Sequence, residues 1–348
     1  MKVIKTVDAE GAVLCHDITQ IIKGVTKDAV FRKGHVVTKE DIPVLLSVGK
    51  DQLYVWENKE GMLHEDDAAE ILCEMCINDN MNRSNAKEGK IELFANCHGL
   101  LKVNNDALKA VNSFGQLMIA SIHGNFAVHE GDKIAGTRII PLVIEEEKML
   151  KAKDKVLEIT NGNPIFEVKQ FKGKKVGIVT TGNEVFYGRI KDTFTPVIVN
   201  KIAEFGGTVL EHIILEDDDK KVTAAILDLI EKGADTVLCT GGMSVDPDDK
   251  TPLAIRNTGA DIVSYGAPVL PGAMFLLAYF NKEGRENPIA VMGLPGCVMY
   301  EKRTIFDLIL PRVMADDMVT ADDLAGLGQG GLCLSCTPCT FPQCSFGK

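Results

Sequence analysis

The chain has 348 residues and a net charge of −11, from 38 Lys and Arg against 49 Asp and Glu, which argues against a surface adapted to nucleic acid or anionic lipid. Hydrophobic residues make up 45% and charged residues 25%, so wholesale disorder, collagen-like and coiled-coil readings fall away. At roughly 150 residues per domain, the length predicts two or three domains.

The opening, MKVIKTVDAEG, lacks the continuous apolar stretch of a signal peptide, and the longest apolar run, at 269–280, is broken by Pro271 and Gly272. A cytoplasmic protein with no membrane and no nucleic-acid partner is expected, its ten cysteines reduced and serving as core fillers or metal ligands. Residues 1–160 read as a β-rich α+β region of short strands and glycine turns with a few short helices. Thr38 is placed to cap a helix with Glu40 and Asp41 in its first turn, ending near Gly49 ahead of the strand-like QLYVWE. Cys73 and Cys76, three apart on a helical pattern with Ile71, Leu72 and Met75, read as buried thiols. Cys97 and His98 fall at a predicted hairpin turn, FANCHGLLKV, and NFAVHEGDKIAGTRIIPLVI reads as paired strands. The charged stretch 148–155 reads as a connector. His123, His129 and His212 have no ligand-spaced partners and read as surface or core residues.

From 174 to 315, β-branched runs alternate with helical patterns: KKVGIVTTG, GTVLEHIIL, DTVLCTGG, ADIVSYG, MFLLAYF and NPIAVMGLPG. This alternation predicts a parallel sheet covered by helices. Val197, Ile198, Ile202 and Phe205 before Gly206, and Val222, Ile226, Leu229 and Ile230 before Gly233, mark amphipathic crossover helices. A last helical pattern covers 300–309, with Pro311 at its end or at a kink. The expected division is a β-rich region at 1–160, an α/β domain at 170–315 and a Cys-rich tail at 325–348.

In such sheets, ligands bind beyond the carboxyl ends of strands, where amides at the next helix start hold anionic groups. Three motifs fall there: Thr180-Thr181-Gly182-Asn183-Glu184 with Gly188-Arg189-Ile190-Lys191-Asp192 behind it; Thr240-Gly241-Gly242-Met243-Ser244 running on to Asp246, Asp248, Asp249 and Thr251; and Leu294-Pro295-Gly296. Glycines let the chain approach a phosphate, hydroxyls donate to it, and Asp248 and Asp249 can hold Mg²⁺. The bland alternatives are a helix N-cap for Asp249 and solvated turn charges for Glu184 and Asp192. In the tail, Cys333, Cys336, Cys339 and Cys344 stand within twelve residues. Four thiolates this close can wrap one tetrahedral Zn²⁺ or one iron–sulfur cluster, and their tight spacing is similar to cluster-binding ferredoxin segments. Handling of molybdenum or its sulfur by these thiols is a third reading.

Taken together and in this order, the three motifs resemble the molybdenum-cofactor biosynthesis domain, a three-layer α/β fold that binds molybdopterin or its adenylylated form. The resemblance spans about 140 residues and includes the TGDE-like turn, the G-x-I-x-D segment, the acidic stretch at 216–219, the GG-x-S loop and the LPG turn. The opening, with GAVLCHDIT, FRKGHVVTKEDI and LLSVGKDQLYVW, also resembles the start of molybdopterin molybdotransferase. The resemblance implies that Gly241, Gly242 and Ser244 line the pterin phosphate and that Asp249 positions Mg²⁺. It further implies that Thr181, Gly182, Glu184, Asp192, Thr240, Thr251, Pro295 and Gly296 complete the pocket, and that two copies pair as a homodimer.

The departures are equally specific. Asp246 stands where the molybdotransferase has glycine, Pro271-Gly272-Ala273-Met274 stands where it has PGKP, so that its lysine is absent, and Cys297-Val298 replaces the end of LPGNP. About 35 residues follow Pro311, fewer than that enzyme's C-terminal β domain needs. The expected function is molybdopterin binding in cofactor synthesis, maturation or delivery to a molybdoenzyme, with Mg-dependent molybdate insertion as its catalytic form. One alternative is a metal-dependent nucleotide pyrophosphate hydrolase, since residues 247–251 also resemble the PDD-x-T loop of competence-damage-inducible protein A, where paired aspartates and a divalent ion activate water. The other is a non-catalytic pterin sensor or scaffold.

Overall fold

Strand Lys90–Ala95 buries Ile91 and Leu93 and exposes Lys90 and Glu92, the period-two pattern of a sheet with one wet face. It belongs to the first of two units into which a computed structural model, describing residues 2–22, 26–55, 60–244, 246 and 249–348, divides. That unit comprises Met1–Phe94, Val103–Ile122 and Asp132–Glu167; the other comprises Ala95–Lys102, His123–Gly131 and Val168–Lys348.

The first unit is β-rich, as expected. Its largest sheet runs in the order Met81–Arg83, Lys90–Ala95, Lys133–Ile139, Leu117–Ser121, and Lys133–Ile139 is antiparallel to both of its neighbours. A hairpin joins Ile18–Ile22 to Thr26–Phe31, and Lys2–Lys5 pairs with Gln52–Val55 around a small core of Leu14, Val37, Leu45 and Leu53. Trp56 lies outside the described residues. Thr38 does not cap its helix: its amide and hydroxyl both donate to Asp41 Oδ2, at 2.8 and 2.9 Å, and helix Asp41–Ser47 begins after Glu40 without a side-chain cap. Nor is 148–155 a connector. It lies inside helix Glu146–Thr160, where Met149, Ala152, Val156 and Thr160 recur at helical spacing and are buried, so the charges are the wet face of an amphipathic helix. Cys73 and Cys76 are buried at the end of helix Glu65–Glu74, and burial pushes both thiols up.

The second unit is a three-layer α/β structure. Its six-stranded sheet runs in the order Thr208–Leu215, Lys175–Thr181, Thr236–Thr240, Ile289–Leu294, Leu276–Phe280, Asp261–Tyr265. The first four strands pair in parallel, as expected; Leu276–Phe280 pairs antiparallel with both of its neighbours and alone runs against the rest, so the sheet is mixed. The links 266–275 and 281–288 are too short for a crossover helix, which needs a dozen or more residues, so these strands must return as hairpins. Ile178, Leu238, Leu277 and Met292 face one layer with Ile198, Ile202, Phe306 and Ile309. Val179, Val237, Leu276 and Val291 face the other with Val222, Ile226, Leu229 and Ile255.

Crossover helices Thr195–Ala203 and Asp219–Glu231 form as predicted. The last long helix is Ile305–Met314, displaced from the expected 300–309: Thr304 and Asp307 form a capping box, and Pro311 lies inside. The predicted hairpin at Cys97-His98 does not form. Strand Gly99–Val103 pairs with Ala127–Val128 instead, and His98 stacks on His129, ring centroids 4.4 Å apart. Likewise Lys133–Ile139 does not pair with Ala127–Val128, its neighbour in the sequence.

Candidate functional site

Thr180 is in register with Thr240, and Thr240 with Leu294, on three adjacent parallel strands. Thr181, Gly241 and Pro295 therefore leave the sheet side by side at its carboxyl end, where α/β sheets take their ligands. Gly241 has φ 82°, and a Cβ on it would stand 2.0 Å from the Thr181 carbonyl oxygen. Gly242 has φ 55°, with a Cβ position 2.8 Å from Thr251 Oγ1. Both positions admit only glycine, for conformation and for space.

The loop is fixed from beneath. Thr251 Oγ1 donates to the Gly241 carbonyl at 2.9 Å and stands 3.3 Å from Thr181 Oγ1, while the Thr251 amide donates to the Gly242 carbonyl at 3.1 Å. Thr181, Thr240 and Thr251 are all buried, so their hydroxyls shape the loop. Ser244 and Asp246 are exposed on its far side. Asp249 is half-buried, and its amide donates to the Asp246 carbonyl at 2.9 Å. Burial, and then the Asp249 carboxylate, push the Tyr265 phenol up, and Tyr265 Oη donates to the Met243 carbonyl at 3.0 Å. Helix Thr251–Asn257 starts after Lys250 with no side-chain cap, so Asp249 is not its N-cap. Asp248 lies outside the described residues.

On the neighbouring strand end, Gly182 has φ 141° and is followed by the single-turn helix Asn183–Phe186, which exposes Glu184. The Asn183 amide donates to Asp217 Oδ2 at 3.0 Å and Tyr187 Oη to Glu216 Oε2 at 3.2 Å, tying the acidic 216–219 stretch to this turn. Asp192 is not a solvated charge. Its Oδ1 accepts from the Phe194 and Thr195 amides at 2.9 and 3.1 Å, and its Oδ2 accepts from Thr195 Oγ1 at 2.6 Å. Burial opposes its ionisation, yet these bonds outweigh burial and hold the carboxyl below its usual value.

His212 joins this group, which the sequence did not reveal. Its Nε2 is 2.9 Å from Thr180 Oγ1, 3.2 Å from Thr195 Oγ1 and 3.6 Å from Asp192 Oδ2. Thr240 Oγ1 donates to Thr180 Oγ1 at 3.0 Å, so a continuous polar chain runs from the glycine-loop strand to Asp192. Burial holds the His212 imidazole below its ordinary value against the pull of Asp192. Pro295 is buried and Gly296 exposed at the start of the short 3₁₀ turn Gly296–Met299. Gly272 is pressed against the last helix, with a Cβ position 2.4 Å from Ile305 Cγ2. Among the described residues, no group of three or more His, Cys, Asp or Glu side chains is gathered for a metal ion.

Residues 177–315 match a family model described as "Probable molybdopterin binding domain", and residues 3–57 match a domain of unknown function. A "Putative competence-damage inducible protein" of Bacillus mycoides is 31% identical over 109 residues, which are 31% of this chain and 26% of that protein. One of Bacillus cereus is 30% identical over the same shares. The chain thus spans about a quarter of the length of these relatives. Among solved structures, the tungsten cofactor synthesizing protein MoaB of Pyrococcus furiosus is similar at 21% identity and TM-score 0.35, covering 41% of this chain and 96% of its own. The protein CinA of Thermoplasma acidophilum is similar at 17% identity and TM-score 0.34, covering 40% and 98%. By the family model, residues 177–315 are a domain of the molybdopterin-binding, molybdenum-cofactor biosynthesis family.

Proposed function

We propose that the second unit binds molybdopterin, nucleotide-free or adenylylated, and acts in the synthesis, maturation or delivery of the molybdenum cofactor. The observation that carries this reading is the loop 240–244: two positive-φ glycines, locked by buried Thr181 and Thr251, open onto Ser244 at the carboxyl end of the sheet. Amides of Gly241 and Gly242 and the Ser244 hydroxyl would hold the pterin phosphate. Gly182, Glu184, Asp192, Pro295 and Gly296 would border the pterin, with Thr181, Thr240 and Thr251 setting the loop's shape.

Mg²⁺ fits this donor set, because it is held by one or two carboxylates together with phosphate oxygens rather than by an all-protein cage. Asp249 and Asp248 would supply those carboxylates, and the bound ion would neutralise phosphate charge. Asp246 and Ala273, where the resembling molybdotransferase has glycine and lysine, favour binding and delivery over molybdate insertion. A recipient molybdoenzyme and pairing of two copies belong to the same proposal. Native mass measurement of the anaerobic full chain with added molybdopterin tests it: a stoichiometric pterin adduct is expected, and a bare chain would overturn it.

A second reading rests on the sequence matches to competence-damage inducible proteins and on the paired aspartates before Thr251. Here the loop would hold a nucleotide pyrophosphate, with the aspartates binding a divalent ion. Metal-dependent release of nucleotide from ADP-ribose, in the absence of any pterin adduct, would establish this reading in place of the first.

A further inference from the structure

Residues 331–346 contain no helix and no strand beyond one bridge residue, yet they are not loose. Leu332 bridges Leu270 in parallel, and the Cys333 amide donates to the Leu270 carbonyl at 2.8 Å. The far end closes on the near one: the Gly347 amide donates to the Gly330 carbonyl at 3.0 Å. Both glycines are fixed by space, since a Cβ on Gly347 would meet Leu308 Cδ2 at 2.4 Å and one on Gly330 would meet the Lys348 carbonyl at 2.2 Å. Phe346 is 2% exposed in the same core cluster as Phe306 and Ile309, and Arg303 lies over the Phe341 ring at 4.9 Å.

All four tail cysteines fall inside this closed loop, and all four line one cavity of about 40 Å³. Cys333 and Cys344 are half-buried, Cys336 and Cys339 exposed. Arg303 also lines the cavity, and no Asp or Glu does, although its guanidinium pairs elsewhere with Asp307 at 2.8 Å and Glu204 at 3.4 Å. An anionic group held by thiolates suits such a wall. The ends are held by Phe346 and by the Leu270 contacts, while Leu334 between them is 71% exposed. Thiolate–metal bonds would add cross-links to that middle stretch.

From this geometry we infer that the closed loop 331–346 holds an iron–sulfur cluster through Cys333, Cys336, Cys339 and Cys344. A single tetrahedral Zn²⁺ needs its sulfurs drawn in to about 2.3 Å from one point. The four thiols line one cavity, and their C-x2-C-x2-C spacing is similar to that of cluster-binding segments. A polynuclear cluster spreads its thiolates over separate irons and carries net negative charge toward Arg303. The Leu270 contacts place the loop in the same unit as the candidate site. The inference does not rest on the pterin reading.

The test is reconstitution of the full-length chain with Fe³⁺, sulfide and excess dithiothreitol without oxygen, followed by iron and acid-labile sulfide analysis and a visible absorption spectrum. Equal iron and sulfide, about two or about four of each per chain, with a visible band bleached by dithionite, are expected. Cys336→Ser and Cys339→Ser, at exposed positions, should each lose the cluster while far-ultraviolet circular dichroism stays unchanged. Cys97→Ser, outside the loop, should keep it. One zinc per chain without sulfide, no metal uptake, or a cluster that survives Cys336→Ser and Cys339→Ser would each overturn the inference.

Discussion

Thr251 Oγ1 donates to the Gly241 carbonyl across 2.9 Å, joining the first turn of a helix to the positive-φ glycine that ends the Thr240 strand. Thr251→Val keeps the shape of the buried side chain and deletes this bond. Leaving the buried acceptor short of a partner should cost about 1–2 kcal/mol. The urea midpoint should fall, and molybdopterin affinity with it, because the loop loses its brace. If affinity holds while the midpoint falls, the loop is fixed by its glycines alone.

Gly241→Ala acts more severely. Its added methyl would stand 2.0 Å from the Thr181 carbonyl oxygen, at a φ that side chains avoid. The loop must move, so pterin binding should be lost altogether. Binding unchanged from the native chain would remove the loop from the site.

Asp249 is the described carboxylate assigned to Mg²⁺. Asp249→Ala should weaken molybdopterin binding about tenfold, equivalent to about 1.4 kcal/mol, when Mg²⁺ is present. With Mg²⁺ chelated, the variant and the native chain should bind alike. A tenfold gap that persists under chelation would show that Asp249 contacts the ligand directly.

The pH dependence of stability has two opposing contributions that substitutions can separate. His212 and Asp192 both have depressed folded values. Each therefore contributes stability that is present above its unfolded value, 6.5 or 3.8, and is lost as pH falls through the folded one. His212→Gln should flatten the decline in urea midpoint as pH falls below 6.5. An unchanged slope would mean that the imidazole is solvated in both states.

Glu65, in the first unit, has the opposite sign. Burial, and then Asp66, raise its carboxyl from 4.5 to about 7. Its contribution is complete below 4.5 and is lost as pH rises through about 7. Glu65→Gln should thus stabilise the chain at pH 8 by about 1–2 kcal/mol, with the gain vanishing at pH 4. Equal effects at both pH values would assign the change to packing.

Where local rules suffice, the amino-acid order of this chain is decisive. The Val222, Ile226, Leu229 and Ile230 spacing makes a helix buried on one face, and its observed span is Asp219–Glu231. The glycines at 241 and 242 mark a loop that must take positive φ, and they do so without reference to any distant residue. The four tail cysteines are visible by spacing alone.

What only the tertiary structure decided depends on partners far apart in the chain. Leu276–Phe280 carries the apolar and aromatic signal of a buried strand, like its parallel neighbours, and its direction was set by the length of the links on either side. His212 lies mid-strand in an apolar run, and its partners Thr180 and Thr195 are 32 and 17 residues away. No periodicity records such a meeting, because it is created by sheet pairing and by the return of the first crossover helix. Asp192 is fixed locally by the Phe194 and Thr195 donors just after it, and only its approach to His212, at 3.6 Å, is tertiary. By sequence the tail reads only as a Cys-rich segment. It becomes a closed loop because Phe346 finds a core built by residues as distant as Phe126 and Val176, and burial of that ring holds both ends in place.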